Sequence, residues 1–503
     1  MGADIAALGG PAVVAAIVAA LAAATAVLAR SPRRQAIAMA VALAVAPFAL
    51  VAHVWETPQF APLRANPLAA LVLGAAALAL LAGAAWLISR RPAMLPVATL
   101  AAIPFRVPIE SAGTSSNLLV PLYLVVGGGA LAYVVTTLRG AEPDRGRRPG
   151  AVEWLAMGLV VMFALQSLYS VGAGKALEQV VFFYVPFALL YALLVRVEWS
   201  PRLLTICLGT VLGLALVFCA VGFVEFGRRE LLLNPQVVAS NQFQSYFRVS
   251  SLFFDPNIFG RFLAVVMIAV AAVMIWATRA RDVAGSALAL AVLWCGLVLT
   301  LSQSSLGALL VGLAVLAALR WSAGWTAALT VAALAVAMGI VLIYPAALRL
   351  QLDSQDSVQS ATSGRGNLIA GGVELFARRP VTGWGSAAFE TQYRRQERVS
   401  GERAVSASHT IPITVAAEQG VLGLALYLGL VVCALMRLLR GARGSPARAA
   451  IAAAFAALVL HTLLYAAFLE DPLAWALLAI GTALAWRERP GPDRHPAELL
   501  RAG

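Results

Sequence analysis

Stretches of about 20 apolar residues, broken by short runs of arginine, glycine and proline, recur from one end of the chain to the other. The apolar runs fall near 11–29, 36–55, 68–88, 93–109, 117–138, 151–170, 177–195, 203–224, 258–277, 284–302, 305–319, 325–344, 411–436, 450–469 and 472–486. A helix of that length crosses a hydrocarbon core of about 30 Å and satisfies its own backbone polar groups there. The period-two alternation of barrel strands is absent. The pattern therefore predicts an all-α, polytopic integral membrane protein of about 12–15 transmembrane helices. The run at 93–109 carries Pro96, Pro104 and Pro108 and is the weakest of the set. Pro11–Ala29 lacks a basic N-terminal flank and is read as a retained first span rather than a signal peptide.

Polar positions gather in one long segment, 346–410, between the apolar run ending near Tyr344 and the one beginning near Ile411. Within it, Leu368, Ile369, Val373, Leu375 and Phe376 recur at helical spacing and predict a short amphipathic helix lying along a membrane surface. Arg378, Arg379 and Pro380 end that helix, and Gly383-Trp384-Gly385 predicts a tight turn. A polar linker, Arg139–Gly150, divides the chain into an N-terminal bundle (1–150) and a central membrane domain (151–440) that includes the loop 346–410. The remainder, 441–503, reads as C-terminal helices and a tail.

Composition agrees: the chain is 61% hydrophobic and 12% charged, with a mean hydropathy of +0.85. The net charge of +13 does not point to nucleic acid, because most arginines sit in short loops between spans. Basic clusters follow alternate spans, at Arg30–Arg34, Arg90/Arg91, Arg139–Arg148, Arg196/Arg202, Arg279/Arg281, Arg320, Arg437–Arg448 and Arg487/Arg489. Assigning these to the cytoplasm puts the N-terminus outside and the C-terminus inside. The exceptions then lie outside: Arg64, Lys175, the loop 227–257 and the loop 346–410, so 346–410 is read as extracytoplasmic. Cationic charge on the translocated face has two readings: long loops translocate whatever their charge, or an anionic ligand binds there. The four cysteines all fall inside apolar runs and form no metal-binding spacing.

Against this apolar background the chemistry-bearing residues are few. His409 stands at the interface just before Ile411, where an imidazole reaches water and titrates near neutrality. Glu418 lies two to three turns into the same run, where an ionisable group needs a partner or a polar cavity. Arg365 opens the amphipathic helix, and a helix N-terminus and a guanidinium both favour an anion. Arg248 and Asn257 belong to RVSSLFFDPNIFGR, whose Asp255-Pro256-Asn257 is a helix-cap signature and whose Arg261 is expected to snorkel to the interface. Ser302-Gln303-Ser304-Ser305 is a polar break between two spans, a hairpin turn or part of the same cavity. His53, His461 and His495 have no comparable setting.

Taken in order, these motifs resemble the O-antigen ligase and polymerase superfamily of bacterial cell-envelope membrane proteins. RVSSLFFDPNIFGR is similar to the family's arginine-then-PN start of a span, and LTLSQSSLGALL to its Ser-Arg-containing span start. Arg365 through ARRPVTGWGSAAF resembles its loop segment. SHTIPITVAAEQGVLGL resembles its histidine–glutamate–glycine signature, with His409, Glu418, Gly420 and Gly423 in register. Two positions depart from the pattern: Gln303 replaces the family's second arginine, and Thr410 its asparagine.

The resemblance implies a glycosyltransferase of the cytoplasmic membrane, acting on its extracytoplasmic side in lipopolysaccharide or exopolysaccharide assembly. The donor would be a glycan on a polyprenyl (undecaprenyl) diphosphate, the acceptor a sugar hydroxyl on a glycan or lipid-glycan, with membrane lipid around both. His409 and Glu418 would be catalytic, and Arg248, Arg365, Gln303 and Asn257 would hold diphosphate or substrate. No cofactor, metal or nucleic acid is expected. With no carboxylate pair or nucleophile in the outer loops (Asp353 and Asp356 come nearest), direct attack with inversion is the expected course. The alternative reading is a transporter or flippase of lipid-linked glycans.

Overall fold

The computed structural model describes residues 10–54, 61–111, 114–140, 148–232, 247–327, 365–397, 410–465 and 468–487. Its helices are α1 (Gly10–Leu28), α2 (Pro32–Val54), α3 (Pro67–Arg90) and α4 (Met94–Ala102), followed by the antiparallel hairpin β1 (Val107–Ser111) and β2 (Thr114–Leu118). Then come α5 (Val120–Leu138), α6 (Ala151–Gln166), α7 (Ala173–Leu194, with a π-turn at Val180–Tyr184) and α8 (Pro201–Arg228). α9 (Pro256–Trp276), α10 (Ala280–Thr300) and α11 (Gln303–Arg320) form an up-and-down series. The short α12 (Arg365–Arg378) and α13 (Phe389–Glu397) precede the long α14 (Ile411–Leu439), and α15 (Pro446–Leu464) and α16 (Pro472–Arg487) close the bundle.

Among the described residues, 10 helices are long and apolar enough to cross a membrane, and α6 and α16 are shorter apolar helices. The chain is an all-α polytopic membrane protein. The run at 93–109 is the exception: after α4 the chain leaves the helix at Ile103-Pro104 and enters the hairpin. Pro104 and Pro108 lack the N–H groups that a continuing helix needs. The amphipathic helix expected at 367–376 is present as α12. The apolar run at 325–344 lies mostly outside the described residues.

Two hydrophobic clusters share α15 as their common post. One joins helices α1, α5, α6 and α7 to α14 and α16, and takes Ile451, Ala452, Phe455 and Leu458 from α15. The other joins α8–α11 and takes Ala449, Ala453, Ala454 and Ala457 from the opposite face. Alanines on that face let the helix backbones approach closely, which drives helix association in lipid. Gly312 of α11 is part of the same contact, since a Cβ there would lie 2.2 Å from Ile268 and 3.4 Å from Ala457. α15 is therefore held between both clusters along residues 449–458.

Candidate active site

The first group of polar contacts links α9, α10, α11 and α15 at one end of the bundle. Asp255 caps α9, its Oδ1 accepting from the Asn257 N–H at 2.6 Å, while its Oδ2 accepts from the Tyr465 hydroxyl at 2.7 Å. Arg248 donates from Nε to the Thr300 carbonyl (2.8 Å) and from Nη2 to Asn257 Oδ1 (2.9 Å). Ser302 caps α11 by accepting from the Ser305 N–H at 3.3 Å. The hydroxyls of Ser304 and Ser305 lie 3.2 and 3.3 Å from His461 Nε2, and Ser305 also donates to the Asn257 carbonyl. Glu225, buried at the end of α8, accepts from the backbone N–H groups of Ser250 and Ser251, which holds the turn that presents Arg248. Gln303, the first residue of α11, is exposed.

A second group forms where the α15–α16 connection meets α9, α7 and the end of α4. Arg261, 2% exposed, pairs its Nε with Asp471 Oδ2 at 3.0 Å; it is a buried ion pair, not the snorkelling interface residue expected from its position. Asp471 also caps α16 through its Oδ1, which accepts from the Leu473 N–H at 3.0 Å. Glu470 Oε1 accepts from Gln179 Nε2 at 2.5 Å. Arg106 lies within electrostatic reach of Asp471, Arg261, Tyr465 and Glu470. Burial pushes the Glu470 carboxyl above the usual carboxylate range, while Lys175, Arg106 and the Gln179 hydrogen bond pull it back. Burial raises the Tyr465 hydroxyl too, with the Asp255 carboxylate adding to it. Arg106, Tyr465 and Glu470 are deep enough for burial to dominate their ionisation, yet each keeps accessible surface.

The third group is the turn between α12 and α13, docked on α14. Gly420 takes φ +68° and breaks the helical ladder inside α14. The freed carbonyls of Ala417 and Glu418 accept from the N–H groups of Trp384 (3.1 Å) and Gly385 (2.9 Å), and the Val421 N–H donates to the Pro380 carbonyl (2.7 Å). Non-helical backbone at this depth needs such partners. The Glu418 carboxylate completes the dock, Oε2 accepting from the Ala387 N–H and Oε1 from the Phe389 N–H, both at 3.1 Å. Gln166, Tyr169 and Ser170 at the end of α6 bind the same turn through Thr382 and Ser386. Gly383 and Gly385 both have positive φ, as the expected tight turn requires.

Of the residues singled out in the sequence, Arg248 and Asn257 are in direct contact, beside the Ser302–Ser305 break. Glu418 holds backbone and is 7% exposed. Arg365 begins α12, whose side packs on α14. His409 lies outside the described residues, immediately before Thr410, which donates to the Leu463 carbonyl near the tip of α15. Sequence reasoning gave Arg261 and His461 no part in a site and passed over Arg106, Gln179, Tyr465, Glu470 and Asp471. A signal was present for the last two: Glu470-Asp471-Pro472 repeats the acid-before-proline cap of Asp255-Pro256. Among the described residues no group of three or more His, Cys, Asp or Glu is placed to hold a metal ion.

Residues 287–428 match the family model described as O-antigen ligase. The matched segment runs from α10 to α14 and includes Ser302–Ser305, Arg365, His409 and Glu418. No curated protein matches the chain.

Proposed function

We propose, from the match of residues 287–428 to the family model described as O-antigen ligase, that this chain transfers a glycan from a polyprenyl-diphosphate carrier to a sugar hydroxyl. At the family level it is an O-antigen ligase-like membrane glycosyltransferase, a multi-pass protein of the bacterial inner membrane. The observation that carries the finer reading is the gathering of ionisable groups at one end of an otherwise apolar bundle. Arg248, Arg261, Arg106, His461, Asp255, Glu470 and Asp471 come from helices and connections far apart in sequence. The basic clusters at Arg30–Arg34, Arg90/Arg91, Arg279/Arg281 and Arg437–Arg448 lie at the opposite helix ends. By the charge rule that end is cytoplasmic, which supports an extracytoplasmic site.

The chemistry follows from the residues. The acceptor oxygen attacks the anomeric carbon, the C–O bond to the diphosphate breaks, and the electron pair leaves with the phosphate. Guanidinium groups of Arg248 and Arg365 stabilise that growing charge, and Asn257 holds Arg248 in place. Gln303, on the exposed start of α11, is the position where the family's second arginine would meet the donor. His409 takes the hydroxyl proton. Glu418 serves the reaction by fixing the 383–389 turn. A direct displacement inverts the anomeric centre and needs no metal. An apolar cavity of about 140 Å³ between α2, α5 and α7 has Tyr123, which lies within electrostatic reach of Arg106, among its lining residues and suits a lipid tail beside a charged head.

The test is reconstitution of the full chain in vesicles with a polyprenyl-diphosphate oligosaccharide, with and without a chelator. A lengthened glycan indicates a polymerase, and a newly glycosylated foreign acceptor a ligase. Movement of the lipid across the bilayer with no new bond sinks the reading in favour of a flippase.

A further inference from the structure

Three polar groups of Asn257 are engaged around Arg248. Its Oδ1 accepts from Arg248 Nη2 at 2.9 Å, its N–H donates to Asp255 Oδ1 at 2.6 Å, and its carbonyl accepts from the Ser305 hydroxyl at 3.3 Å. The last two contacts both lead to the C-terminal end of α15, outside the family-matched segment. The Tyr465 hydroxyl donates to the second oxygen of Asp255 at 2.7 Å. His461, fully buried, sets its Nε2 3.3 Å from the Ser305 hydroxyl oxygen. Between the two in sequence, the Leu463 carbonyl accepts from the Thr410 hydroxyl at 3.1 Å, which ties in the start of α14. Gly260 lets α9 approach closely here, since a Cβ there would lie 2.7 Å from the Ser305 hydroxyl oxygen. Residues 461–465 thus meet α9, α11 and α14 at once. Asp255 caps α9 through Oδ1 alone, so the tyrosine hydroxyl is not needed to start that helix. What the hydroxyl fixes is direction. A carboxylate bound at both oxygens cannot swing, and the Asn257 backbone it holds sets where Oδ1 meets the guanidinium.

We propose that Tyr465 is a positioning residue for the donor's diphosphate, acting through Asp255 and Asn257 on the Arg248 guanidinium. The inference rests on the glycan-transfer reading for the identity of the ligand, not for the path of contacts. Tyr465 touches neither the diphosphate nor the bond that breaks. A group that serves a transition state must keep its place closely, and a misplacement of about 1 Å can cost about 100-fold in rate. With the Ser305 contact intact, losing the tyrosine contact frees Asn257 on one side only, so about a tenfold loss is expected.

The experiment is a double-variant cycle of Tyr465→Phe and Asn257→Ala on the full chain in lipid nanodiscs, with two readouts. The first is binding of farnesyl diphosphate, followed by phosphorus NMR. Each single variant is expected to weaken binding about fivefold, and the double variant no more than the worse single. The second is transfer kinetics. Each single variant is expected to lower kcat/KM for the lipid-linked donor about tenfold, and the double variant still only about tenfold, with the acceptor KM unmoved. Asp255 is half-buried, so water can replace the lost hydroxyl and the thermal midpoint should stay within about 2 °C of wild type. Tyr465 also lies within electrostatic reach of Arg106 and Arg261, and the cycle separates that route from the one through Asn257. Losses that multiply to about 100-fold in the double variant overturn the proposal. So does an unchanged Tyr465→Phe, a wild type that does not bind farnesyl diphosphate, or a fall in thermal midpoint that accounts for both losses. Binding that depends on Tyr465 in a wild type that makes no product keeps the positioning role and rejects glycan transfer.

Discussion

Removing the charge of Asp471 isolates what the buried ion pair contributes. Arg261 and Asp471 face each other at 3.0 Å with side chains 2% and 4% exposed. At an effective dielectric constant of about 20, their attraction is about 5.5 kcal/mol. Desolvation of each ion costs several kcal/mol and roughly cancels that gain. Asp471→Asn changes the balance, because Arg261 keeps its charge and its burial but loses its only carboxylate within ion-pair distance among the described residues. Breaking such a pair costs about 3–5 kcal/mol. Asparagine still caps α16 at the Leu473 N–H, so the loss is electrostatic and not a lost cap. The expected result is a fall of at least about 5 °C in the midpoint of heat-induced aggregation, read by size exclusion in detergent. The double variant Arg261→Met/Asp471→Asn removes both charges and is expected to recover most of the loss. A single variant as stable as wild type, or a double variant no better than the single, refutes the account of this pair.

Three further outcomes follow from the same structure. Gly420→Ala places a Cβ 2.2 Å from the Val381 carbonyl oxygen at φ +68°, so it should undock the turn, lower the thermal midpoint and abolish transfer. Glu418→Gln turns an NH₂ toward one of the two N–H groups that its carboxylate now receives, and should cost about 1–3 kcal/mol of stability. A drop in activity with an unchanged midpoint would instead mark Glu418 as acting on substrate. Burial raises the folded-state pKa of Glu470, so the folded protein holds its proton more tightly than the unfolded chain does. Stability should therefore fall as pH rises from the ordinary carboxylate range through the raised value. Glu470→Gln should flatten that slope in thermal midpoints measured from pH 4 to 8.

The helical, membrane-crossing architecture was legible because hydrophobic period and length report directly on burial in lipid. The helix at α12, the turn at Gly383–Gly385 and the Asp255 cap were legible for the same kind of local reason: each is written in adjacent residues. Pro104 and Pro108 were visible as well, but the hydrophobic run around them hid the hairpin. The site was legible only in part. Arg248 and Asn257 stand in one short stretch of the sequence, and the structure brings them into direct contact. Arg261 looked like an interface residue because its partner, Asp471, lies at the far end of the chain. His461 looked like a lone histidine inside a span because the two serines that face it lie on another helix. Long-range pairing of this kind leaves no local periodicity.

The most direct measurement of the central claim is glycan transfer by wild type, Arg248→Ala, Arg365→Ala and His409→Ala in vesicles supplied with a polyprenyl-diphosphate oligosaccharide and an acceptor. Losing a positioned transition-state donor or a proton acceptor typically costs about 100-fold or more in rate. The account predicts new glycosidic product from wild type and near-background product from the three variants at equal membrane levels, with Arg398→Ala close to wild type. Undiminished product from His409→Ala and Arg365→Ala would contradict it.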